Sequence, residues 1–107
     1  MGRQHGQGFD TVLGRVKQEM KRSVDKYGPL SRDPHRALAV IVKELGEVAE
    51  AVNDVTRFRE QVPSHIKDGL KSELAQVTQL CMQFIMNIEE AEALPQRPPI
   101  IPRRTRP

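Results

Sequence analysis

Apolar residues recur at helical spacing in three stretches of this chain, with polar residues filling the positions between them. Phe9, Val12, Leu13, Val16, Met20 and Val24 form the first series, the rhythm of one helix face. "YGPL" then places Gly28 and Pro29 together, so the pattern predicts a helix from Phe9 that stops near Tyr27. Asp33 followed by Pro34 reads as an N-cap and first helical residue, opening a second helix that runs to about Arg57. "FREQVPS" interrupts the periodicity, and Ser64 is the expected cap of a third helix from about His65 to Ala93. Nothing alternates with the period of a strand, no Asn-Gly hairpin signal occurs, and no segment repeats. The predicted fold class is all-α, a helical bundle over residues 9–93. Residues 1–8, with three glycines, read as a loose end. From residue 95 onward, five prolines among thirteen residues exclude regular structure and predict an extended Pro/Arg-rich tail over 94–107.

One position breaks the second helix's pattern. An α-helix advances about 100° per residue. With Glu44 at zero, Ala37 and Val55 fall about 20° to one side, and Val48 at about 40°. Ala51 falls about 20° to the other side and Val40 about 40°. Glu44 therefore lies inside the apolar stripe, with Glu47 at its edge and Asp54 nearby. The third helix repeats the anomaly at Glu73. Ile66 and Phe84 lie about 20° away, Val77 about 40°, and Leu80 about 20° on the other side. Gln76, Gln83 and Asn87 form a polar seam along that edge.

Burying an unpartnered carboxylate costs several kcal/mol, against roughly 5–15 kcal/mol for a whole domain. Two such groups need partners. Lys43 and Lys71 adjoin in sequence but project about 100° and 160° away. A distant basic residue could pair with them. Alternatively, the two acidic stripes face one another and hold divalent cations, since hard ions such as Mg²⁺ take oxygen ligands and bridge carboxylates to phosphates.

Composition narrows the choice. The formal charge is +3, and the last thirteen residues hold four arginines and no acid, so the remainder sums to −1 (3 − 4). A near-neutral body with a short basic tail lacks the charged face of a nucleic-acid-binding domain, and four aromatic residues make no base-stacking platform. No run is long and apolar enough for a membrane span, and "MGRQHGQGFD" has no apolar signal region. With a single cysteine, Cys81, the expected location is a reducing cytoplasm.

"KELGEVAEAV" followed after a loop by "KSELAQV" resembles the MazG-like all-α nucleoside triphosphate pyrophosphohydrolases, whose signature is Glu-x-x-Glu on one helix and Glu-x-x-Asp on the next. "DKYGPLSRDPHRAL" is similar to the stretch before the first motif in short, single-domain phage and bacterial members. The likeness spans roughly residues 9 to 92, with its specific part at 43 to 77. It implies cleavage of a ribo- or deoxyribonucleoside triphosphate between the α and β phosphorus atoms, giving a monophosphate and pyrophosphate. It further implies Mg²⁺, or Mn²⁺, held by Glu44, Glu47 and Glu73 as the catalytic ligands. Two residues depart from the pattern. Gln76 stands where the fourth acid usually stands and is the candidate fourth metal ligand, offering an oxygen without charge, directly or through a water. Lys43 replaces a glutamate common before Glu44. These departures raise a second expectation, a weakly active or inactive nucleotide binder, and a third is a helical protein-interaction module.

Lys43 and Asn87 are candidate substrate-binding residues, and Glu50 and Asp54 candidate supports for the ligands. His5, His35 and His65 have no zinc spacing, no Gly-rich phosphate loop occurs, and Cys81 reads as a small core residue. The third helix carries a second apolar group opposite Glu73, formed by Met82, Met86 and Ala75. A helix apolar on two sides must bury both, which predicts a bundle completed by a second copy of the chain, a dimer or dimer of dimers. The resemblance implies the same.

Overall fold

The computed structural model describes residues 2–58 and 61–94, with side chains from residue 8 onward. They form three helices, α1 (Gly2–Tyr27), α2 (Pro34–Phe58) and α3 (Ser64–Ala93), and no strand occurs among the described residues. The predicted tail beyond Leu94 lies outside them.

The ends follow local chemistry. Gly28 has φ 85°, a left-handed conformation that turns the chain out of α1, while its N–H still reaches the Val24 carbonyl at 2.8 Å. Asp33 caps α2 as predicted, accepting the His35 N–H on Oδ1 at 3.1 Å. At α3 the boundary differs by one residue. Pro63 is the N-cap, Ser64 is already helical, and no side chain caps the end. α1 also begins well before the predicted Phe9. The first residues carry no apolar rhythm to announce a helix, yet extending an existing helix adds one bond per residue fixed.

α3 packs against both other helices, which do not pack against one another. The small core of Leu30, Ala37 and Leu80, with Ile41 and Phe84 against it, joins the start of α2 to the later part of α3. Further along, Glu44 and Glu47 meet Glu73, and Asp54 shares a groove with His65. Pairing that runs 37 with 80, then 47 with 73, then 54 with 65 makes α2 and α3 antiparallel. α1 runs parallel to α3, since Glu19 shares a groove with Ser72 and Leu30 bonds to Gln83. Among its described side chains Val16 and Ser23 are buried. At this register Phe9 falls before the start of α3 and Val12 level with its first turn, and both are exposed.

The second apolar group of α3 is only partly covered: Ala75 is buried, Met82 half-buried and Met86 exposed. Cys81 is exposed rather than in the core. It belongs to a different uncovered face. Leu38, Val42 and Leu45 of α2 and Leu74, Ile85 and Ile88 of α3 are all exposed, and helical geometry puts both sets on the side of the α2–α3 layer away from α1.

Candidate metal centre

Between α1 and α2, over α3, lies a groove of about 500 Å³. Glu44 and Glu47, one turn apart on α2, face Glu73 across it, and one carboxylate oxygen from each lies within 4.8 Å of the others. All three are half-buried. No cation pairs with Glu44, Glu47 or Glu73 among the described residues. The bland explanation of the mid-stripe acids, partnering by a distant basic side chain, is therefore absent there.

Electrostatics follows from this crowding. Burial raises the Glu44 carboxyl above its ordinary range, the neighbouring Glu47 charge raises it further, and Lys43 partly offsets this. Glu73 is raised by burial first, then by the charges of Glu47 and Glu44. Both respond to a fourth carboxylate, Glu19 of α1. A site that disfavours its own ionised state gains when a cation takes the place of protons. Oxygen-only donors suit a hard divalent ion such as Mg²⁺ or Mn²⁺ and exclude a thiolate- or imidazole-type centre.

The chain matched no protein-family model, no curated protein and no solved structure.

Lys43 lines the groove, as does Gln76, whose Oε1 accepts a hydrogen bond from Gln79 Nε2 at 2.9 Å. Asn87 is not among the lining residues. Its Nδ2 is directed at the Ser31 carbonyl, 3.5 Å away, in the loop between α1 and α2. Glu50 and Asp54 line a separate groove of about 430 Å³ with His65, which touches the acid cluster through Glu47 and Glu73. Asp54 also lies 3.7 Å from Arg57.

Sequence reasoning missed Glu19 and Arg22, which bring α1 into the site. The two are ion-paired across one turn, with the Glu19 side chain mostly buried, and Glu19 holds the Arg22 guanidinium above its usual pKa through a hydrogen bond and its charge. A signal existed. Glu19 sits about 60° from Val16 at the edge of the α1 stripe, the place that Glu47 takes on α2.

Proposed function

We propose that this protein is a metal-dependent nucleoside triphosphate pyrophosphohydrolase of the MazG-like kind. The observation that carries the reading is the convergence of Glu44, Glu47 and Glu73, from two antiparallel helices, on one groove without a basic partner among the described residues. The groove's size suits a nucleotide. Arg22 and Lys43, on its walls, supply positive charge for a polyphosphate chain. Glu44, Glu47 and Glu73 would hold Mg²⁺ or Mn²⁺. The bound ion would supply charge neutralisation at the phosphates and a more acidic water. Beside it, Arg22 can exchange Glu19 for a phosphate oxygen.

The test is incubation of purified protein with a panel of ribo- and deoxyribonucleoside triphosphates and Mg²⁺ or Mn²⁺, followed by chromatography. Monophosphate and pyrophosphate in equal amounts are expected. Diphosphate with orthophosphate, or no product at all, would overturn the assignment. A second reading, a nucleotide binder without turnover, is favoured by the uncharged amide at Gln76. It requires nucleotide binding to persist in the absence of product. As a partner we propose a second copy of the chain, docked on the exposed α2–α3 face.

A further inference from the structure

A glutamine amide has one accepting and one donating end, and three of them form a chain in this protein. The Leu30 backbone N–H donates to Gln83 Oε1 at 2.9 Å. Gln83 Nε2 donates to Gln79 Oε1 at 2.7 Å, and Gln79 Nε2 donates to Gln76 Oε1 at 2.9 Å. The direction is imposed from one end. A backbone N–H can only donate, so Gln83 must present its oxygen to Leu30, and each later amide is turned in consequence. Gln79 is 0% exposed and Gln83 7%, so no water is at hand to repair a reversed link, and a reversal would set two donors against each other at Leu30. No buried side-chain polar atom among the described residues lacks a partner.

The chain ends in the groove. Gln76 lines it beside Glu73 and Glu44, and its oxygen is already engaged by Gln79. Its Nε2 has no protein partner among the described residues. We infer that Gln76 serves the site as a hydrogen-bond donor to an anionic oxygen of the ligand, oriented by the relay from Leu30, and not as an oxygen ligand to a cation. A cation taking Oε1 would have to share it with the Gln79 N–H. A phosphate oxygen, by contrast, accepts the N–H that the relay leaves free. This rests on the nucleotide reading only in naming phosphate as that oxygen.

Calorimetry with the full chain decides it, using Mg²⁺ alone and then inorganic pyrophosphate in saturating Mg²⁺, so that turnover is not required. Gln76→Leu is expected to weaken pyrophosphate binding about tenfold or more while leaving the Mg²⁺ affinity unchanged. Gln83→Glu keeps an acceptor for the Leu30 N–H but removes the donor to Gln79. With helix content unchanged by circular dichroism, it should weaken pyrophosphate in the same direction and spare Mg²⁺. Should Gln83→Glu unfold, Gln76→Leu alone decides. Weakened Mg²⁺ binding with pyrophosphate affinity intact in Gln76→Leu would overturn the inference, as would failure of the unaltered chain to bind pyrophosphate. Pyrophosphate binding with the expected split, but no nucleotide turnover, would sink the hydrolase reading and leave this one standing.

Discussion

Glu44 and Glu73 carry opposite consequences for stability and for function. Each is held above the ordinary carboxylate range, first by burial and then by its acidic neighbours, so ionising it works against the fold. The sign follows from linkage. An acid with a raised folded pKa contributes stability while protonated and loses that contribution as pH rises through the raised value. Glu44→Gln, tested without metal, should therefore raise the thermal midpoint at neutral pH, and the advantage should close as pH falls through the raised range. A variant less stable than the parent at neutral pH would identify Glu44 as a structural partner. On the proposed function the same variant is expected to lose more than about a hundredfold in turnover, since removing a directly participating group costs several kcal/mol of barrier. Added Mg²⁺ or Mn²⁺ should raise the parent's midpoint most at neutral pH and progressively less as protons compete for the carboxylates. A metal-induced shift that grows on acidification would contradict a carboxylate site.

At the scale of the elements, the sequence carried the helices well and their neighbours poorly. Asp33 and Pro34 announced the start of α2, and the hydrophobic rhythm located α3 to within a residue of its observed start. The mid-stripe positions of Glu44 and Glu73 were likewise legible, because a stripe is a property of one helix. Glu19 and Arg22 were not, since their place depends on α1 and α2 lining one groove over α3. The polarity of Gln76 was also hidden, being set by a backbone N–H distant in sequence. Cys81 was misplaced for a related reason: it lies on an apolar side of α3, but that side is left exposed among the described residues. The connection between α1 and α2 yields a sharp test. An added methyl group at Gly28 would meet no atom within 4 Å, yet its φ is 85°. Gly28→Ala should thus lose about 1–2 kcal/mol, a purely conformational effect, read by chemical denaturation with an unchanged slope. A neutral result would mean that this turn relaxes freely in solution.

For the whole molecule, the exposed face of the α2–α3 layer sets the expectation of a second copy, and the charges of α3 set its orientation. Lys67 and Lys71 stand near the start of that face and Glu89 and Glu92 near its end, with Leu74, Cys81 and Ile85 between, all exposed. This order opposes the helix's own preference, because the macrodipole favours acids at the N-terminus and bases at the C-terminus. α3 has no acid in its first turn and no base in its last. Two copies of α3 laid face to face and antiparallel place the basic end of each against the acidic end of the other, with Leu38 and Val42 of α2 covering the flank. From Lys67 to Glu92 the helix rises roughly 38 Å, and a contact about 10 Å wide with a share of α2 gives a footprint on the order of 500 Å² per copy. That is about 1,000 Å² in all, the low end for a specific pair, so the association should depend on concentration. The midpoint between the charged ends falls next to Cys81, so in such a pair its thiol would lie close to its counterpart across the two-fold axis. Sedimentation at rising micromolar concentration should move the mass from the 12.1 kDa chain toward twice that value, and mild oxidation should trap a Cys81–Cys81 disulfide. Ile85→Glu should hold the chain monomeric with its helix content unchanged. A mass that stays at one chain throughout, without cross-linking, would leave this face unpaired and remove the second copy from the assembly.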